Sequence, residues 1–134
     1  MNYWLVKSDP ETYGWDELVK DGKTRWDGIR SYAARNHLKG MKKGDKVLFY
    51  HSQVNPSVVG IAKVAKEFYQ DPTTDEEAWV CVDLEADKAL KNPVTLPQIK
   101  SDKRLKNIPL IKIGRLSAMP VTKDEFDVIV ELGK

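Results

Sequence analysis

The densest cluster of chemically capable side chains runs Arg25-Trp26-Asp27-Gly28-Ile29-Arg30-Ser31-Tyr32-Ala33-Ala34-Arg35-Asn36. Trp26 stands between charged residues in a segment that reads as a loop, and Gly28 leaves that loop free to turn or approach a ligand. Arg25, Arg30 and Arg35 can meet phosphate or lie flat on a ring. A flat aromatic face beside amide and carboxylate groups suits a planar heterocycle, which stacks and is then read along its edge. The same residues also fit a plainer arrangement, with Trp26 plugging the core and arginine stems covering it. The residue types leave both open.

Catalytic templates are not met. The chain has no phosphate-cradling glycine loop, no His-Glu-x-x-His helix and no nucleophile-elbow serine. Lys7 and Ser8 are adjacent in an apparent strand, so they should point to opposite faces rather than pair as base and nucleophile. His51, at the end of Phe49-Tyr50-His51-Ser52, can be a general base, a hydrogen-bonding pocket residue or a packed core histidine. Cys81 is the only cysteine, and His37 and His51 are the only histidines. No disulfide, metal or cofactor is therefore expected. Cys81 lies between valines and reads as an inert buried residue.

The elements that must position these groups belong to one domain spanning residues 1–134. Two domains would leave each half too short to close a stable core unaided. Tyr3 to Ser8 reads as a buried strand, ended by Asp9-Pro10. A short helix follows around Trp15–Lys20, with Trp15, Leu18 and Val19 on one face and Asp21-Gly22 as its stop. Residues 31–39 read as a second helix, with Gly40 at its end. Strands are expected over 46–51, 58–68 and 79–85, with Gly60 marking a bulge or a close backbone approach. Leu110 to Ile113 and Ser117 to Val121 read as further strands. Thr122-Lys123-Asp124-Glu125 and Thr95-Leu96-Pro97-Gln98 are capping boxes, stapled by Val121 with Phe126 and by Val94 with Ile99. Strands joined by short connections, without crossover helices, predict a mainly antiparallel barrel or strongly bent sheet with short helices over its openings.

Net charge is only +2, but it is unevenly distributed. Residues 88–115 hold eight Lys or Arg against one acid, Asp102, while residues 67–87 hold eight acids and no base. Such segregation permits a basic face, and Lys103, Arg104 and Lys106 are its candidate phosphate ligands. A solvated surface of mixed charge fits the same runs. No apolar run is long enough for a membrane span. The first residues lack the pattern of a signal peptide, so the cytosol is expected, or the nucleus in a eukaryote.

Several motifs in order give the chain its resemblance. They are Tyr3-Trp4-Leu5-Val6-Lys7-Ser8-Asp9-Pro10, the 26–36 segment, Val47-Leu48-Phe49-Tyr50-His51-Ser52, Gly60-Ile61-Ala62 and Arg115-Leu116-Ser117-Ala118-Met119-Pro120-Val121. Together they resemble the EVE domain over about residues 2–132. The resemblance implies an α+β fold, a PUA-like mainly antiparallel β-barrel related to the YTH and SRA readers of modified bases. It also implies a pocket for a flipped, modified base in DNA or RNA. The pocket wall would come from Lys7, Ser8, Trp26, Asp27, Phe49, Tyr50, His51 and Ser52. Arg30, Tyr32 and Asn36 would support that wall or touch the backbone, and Arg115 and Ser117 would close the far side.

Two departures stand out. Many relatives carry a longer insertion where this chain has only residues 70–78, and Ser31 stands where Asn often follows the arginine. The reading is thus a non-enzymatic, monomeric reader of a modified base in nucleic acid. The alternatives are an enzyme acting on a flipped nucleotide, with His51 as acid or base and Asp27 as partner, and a small-molecule or protein-interaction module using the same aromatic pocket.

Overall fold

A computed structural model describes all 134 residues, Met1–Lys134. Its strands are β1 (Tyr3–Ser8), β2 (Lys23–Trp26), β3 (Lys46–His51), β4 (Ser57–Gln70), β5 (Val80–Thr95) and β6 (Ala118–Val121). Its helices are α1 (Trp15–Asp21), α2 (Tyr32–Gly40), α3 (Leu96–Ser101), α4 (Pro109–Lys112) and α5 (Lys123–Leu132), with a 3-10 turn at Lys103–Leu105. The strands form one sheet in the order β2-β5-β4-β3-β1-β6. Every neighbouring pair is antiparallel except β1 with β3.

The sheet curls into a barrel-like shape without closing, since β2 and β6 remain its two edges. Three strand steps separate β2 from β3, about 14 Å in a flat sheet. The rings of Trp26 on β2 and Phe49 on β3 nevertheless lie only 5.5 Å apart, centre to centre. The long β4–β5 hairpin supplies the bend, because its register slips at four points, and each slip adds local twist. One slip spans Gly60, where a Cβ would lie 2.6 Å from atoms of the Trp15 ring. Only glycine lets α1 lay its tryptophan on the sheet there, which is the close approach expected of this position.

Both capping boxes form, at Thr122 with Glu125 and at Thr95 with Gln98. Four expectations need correction. Leu110 to Ile113 is no strand: Pro109, whose fixed φ suits the first helical turn, opens α4 over that apolar run. Val19 is 53% exposed. In a helix of seven residues the buried stripe is narrow and takes only Trp15 and Leu18. Trp26 ends a strand rather than occupying a loop. β2 is an edge strand whose Thr24 and Trp26 turn inward while Lys23 and Arg25 face water, and its polar composition hides the alternation. β5 continues ten residues past Glu85, because its exposed second half still pairs with β4.

Candidate functional site

A cleft of about 490 Å³ opens where the end of β1 meets the end of β2. The gap follows from the topology. β6 pairs with β1 only from Tyr3 to Val6, and β2 pairs only with β5. Lys7 and Ser8 both line the cleft, joined by Tyr13, Thr24, Trp26 and Asp27. The opposite faces expected of Lys7 and Ser8 do not separate them here, because both sit at the strand's open end.

Trp26 is only 9% exposed. It meets Phe49 at 5.5 Å and Tyr13 at 6.3 Å, both nearly perpendicular at 75°. Of these rings only Trp26 and Tyr13 line the cleft, and they make a corner rather than a parallel slot. A flat ring lying on one wall turns its own edge to the face of the other, and both contacts are ones aromatic quadrupoles favour. The rim is polar. Arg25 Nε donates to Asp27 Oδ2 at 2.8 Å, with both side chains partly exposed. The Ser8 hydroxyl donates to the Tyr13 carbonyl, tying β1 to the segment that follows it.

The loop after Trp26 is held from below by Asp71, which is fully buried. Its carboxylate accepts from the Gly28 amide at 2.8 Å, Arg30 Nη1 at 3.0 Å, the Thr73 amide at 2.8 Å and the Thr73 hydroxyl at 2.6 Å. Burial alone would raise the Asp71 pKa, but the bonds from Thr73, Gly28 and Arg30 outweigh it and hold the carboxyl well below the usual range. Gly28 takes φ +80 in this loop, a conformation glycine adopts freely. The short 70–78 connection is thus a brace for the Asp27-Gly28 turn.

Arg30 also donates to Thr73 and lies 5.8 Å over the Trp79 ring. Tyr32, 62% exposed, meets Trp79 at 5.0 Å and the Arg35 guanidinium at 4.9 Å. Arg35 donates to Asn36 Oδ1 at 2.9 Å and to the Ala78 carbonyl at 3.3 Å. Arg30, Tyr32, Arg35 and Asn36 thereby join the start of α2 to the brace, and none lines the cleft. Ser31 caps α2, accepting from the Ala34 amide.

The structure does not bring residues 49–52 to this wall. β3 lies between β1 and β4, so its inward side chains belong to the core. Phe49 is wholly buried and packs at 5.4 Å against Trp15 as well as against Trp26. His51 Nε2 accepts the Trp15 amide at 3.0 Å, holding the first turn of α1. Burial lowers its pKa and outweighs Asp16 and Glu17, favouring the neutral ring that this acceptor role requires. His51 has no contact with Asp27, which pairs with Arg25.

Tyr50 and Ser52 line a second cleft of about 280 Å³, which shares Lys7 with the first. Ser117 accepts the Lys7 amide through its carbonyl, and the exposed Arg115 follows Gly114, which borders the second cleft. Of the basic stretch, Arg104 is held by Asp102 at 2.8 Å and lies 3.8 Å from Glu131. Lys103 and Lys106 are exposed, and none of the three lines either cleft.

Sequence reasoning missed Asp9, Thr12, Tyr13, Thr24 and Ile29 in the cleft lining and Asp71 beneath it. The Asp71-Pro72-Thr73 run is an Asx-type turn signal, but its reach to Gly28 crosses 43 positions. Tyr13 had no flag beyond being one of the eight aromatic residues, of twelve in all, that fall in the first 50 positions.

Similarity to known proteins follows the same outline. The EVE domain profile matches residues 2–132. Thymocyte nuclear protein 1 of Mus musculus is 33% identical, over 98% of this chain and 73% of that one. A protein of Rhodopseudomonas palustris solved by NMR superposes with a TM-score of 0.95 at 42% identity, covering 99% of this chain and 93% of that one. Human THYN1, solved in complex with 5-methylcytosine containing DNA, superposes with a TM-score of 0.91 at 32% identity, covering 100% and 98%. With the profile and these relatives spanning nearly its whole length, the chain belongs to the EVE domain family.

Proposed function

We propose that the protein is a non-enzymatic reader of a modified base in nucleic acid, with 5-methylcytosine in DNA as the first candidate. The observation that carries this reading is the polar-rimmed aromatic corner at the β1–β2 opening, in a chain so similar to a relative solved with 5-methylcytosine DNA. Extruding a base costs a few kcal/mol, and stacking on an aromatic returns roughly 1–3 kcal/mol. Edge contacts must therefore contribute. Asp27 can accept from an exocyclic amine, and the Lys7 ammonium can donate to a base carbonyl, whereas the Ser8 hydroxyl, its proton given to the Tyr13 carbonyl, can only accept. Trp26 and Ile29 offer apolar surface to a methyl group. Asp71 positions this machinery without touching the base. Such a reader needs no cofactor and works as a monomer where the nucleic acid is, in the cytosol or a eukaryotic nucleus. The His51–Asp27 pair that an enzyme reading requires is not assembled.

The test compares oligonucleotides differing only in one modified base. Trp26→Ala should lower affinity for the modified strand by about 1–3 kcal/mol, roughly 5- to 150-fold. Binding to plain strands, which rests on phosphates, should change far less. Melting curves provide the control, since truncating a packed Trp costs roughly 3–5 kcal/mol of stability. If Trp26→Ala unfolds the protein while a folded Trp26→Phe variant binds every strand as before, Trp26 is a core plug and not a wall of the site.

A further inference from the structure

The second cleft has a mixed lining, in which the apolar Pro56, Leu96, Leu110 and Ile111 sit beside cationic and polar groups. Lys7 and Lys100 line it together with Tyr50, Ser52, Gln53 and Gly114, and no acid does. Lys7 is half-buried, and its ammonium donates only to the Gly114 carbonyl, at 2.9 Å. No carboxylate lies within ion-pairing distance of Lys7 or Lys100, although the chain pairs eight other ion pairs elsewhere. Burying a cation without an anion is costly, and burial accordingly lowers the Lys7 pKa. An arriving anion would relieve that cost. Ser52 already donates to the Ser8 carbonyl, which fixes the shared wall. Gln53 stands at the rim with φ +72, a left-handed backbone rarely adopted by residues other than glycine. Lys7 belongs to both clefts, so an anion here would lie beside whatever occupies the first.

We infer that the Lys7–Lys100 cleft is a phosphate subsite, which takes a backbone phosphate flanking the base held in the first cleft. This rests on the proposed reading of the first cleft and adds where the strand runs. It moves the phosphate contact from Lys103, Arg104 and Lys106 to two lysines that the fold brings together from 93 positions apart in sequence. Lys7 then reads both the base and its phosphate, while Lys100 touches only the phosphate.

Lys100 supplies the clean test, because it is exposed near the end of α3 and its replacement leaves the core untouched. Lys100→Gln should weaken binding to strands with and without 5-methylcytosine alike, by roughly fivefold. It should also make the slope of log affinity against log salt shallower by about one. Single methylphosphonate linkages, which are neutral, are then placed in turn on either side of the modified cytosine. One of them should weaken wild-type binding by the same factor and leave Lys100→Gln unaffected. Unchanged affinity and salt slope in Lys100→Gln, or full additivity at every linkage, would overturn the subsite while leaving base preference intact. Loss of base preference in the wild type is the separate failure of the first reading.

Discussion

Replacing Asp71 tests whether the short 70–78 connection braces the site. Its buried carboxylate accepts four hydrogen bonds, from Gly28, Arg30 and twice from Thr73. Hydrogen bonds to a charged group are worth about 1.5–3 kcal/mol each. Gly28, Arg30 and Thr73 are themselves exposed, so water can take over much of what Asp71→Ala abandons. The expected loss is therefore about 2–3 kcal/mol, below the usual cost of breaking a fully buried pair. With a urea slope near 2 kcal/mol per molar, the unfolding midpoint should fall by about 1–1.5 M. Asp71→Asn should lie between, because its single oxygen can keep one pair of donors, Gly28 with Arg30 or the two of Thr73, while its amide nitrogen cannot accept from the other pair's backbone amide. The pH dependence has a definite sign. The folded carboxyl titrates well below the unfolded one, so the contribution is full above the ordinary carboxylate range. It is lost as pH falls below that range, where the unfolded chain takes the proton first. The gap between wild type and Asp71→Asn should narrow from pH 5 downward. A midpoint in Asp71→Ala within about 0.3 M of wild type, taken with the same slope, would refute the brace.

Two further perturbations probe elements around the sheet. Thr122→Ala removes the hydroxyl that accepts the Glu125 amide at 3.1 Å and should cost about 1 kcal/mol. Phe126→Ala strips a ring packed 4.6 Å from Tyr3 and should cost roughly 3–5 kcal/mol; unchanged midpoints in both would detach α5 from the core. For His51, burial depresses the folded pKa, so the unfolded chain binds the proton first as pH drops through about 6.5, and stability declines below that. His51→Gln keeps an acceptor for the Trp15 amide but cannot titrate, so its melting temperature should fall less between pH 7 and 5.5. His37, also depressed by burial, leaves a residual slope in both proteins. Equal slopes in the two proteins would mean that His51 does not hold α1 through a neutral ring.

Local signals were the legible part. The capping boxes at Thr95 and Thr122 declare themselves within four residues, because donor and acceptor are neighbours in the chain. Gly60 was readable as a close approach, though not that Trp15 is what approaches. β2 escaped because an edge strand with one buried tryptophan looks like a polar loop until β5 pairs with it. The 49–52 motif was assigned to the pocket wall through family likeness. Its side chains instead divide among the core, the α1 cap and the second cleft, a division set by the place of β3 between β1 and β4. Asp71 and the Lys7–Lys100 juxtaposition depend on contacts spanning tens of residues, for which a single sequence carries no periodic signal.

The central claim is that the β1–β2 cleft distinguishes a modified base from its parent. It is tested most directly by wild-type affinities for two oligonucleotides identical except for one 5-methyl group on cytosine, measured across a salt series. The account predicts tighter binding to the methylated strand by a ratio that stays nearly constant with salt, while both absolute affinities fall steeply as phosphate contacts are screened. Equal affinities for the two strands at every salt concentration would contradict it.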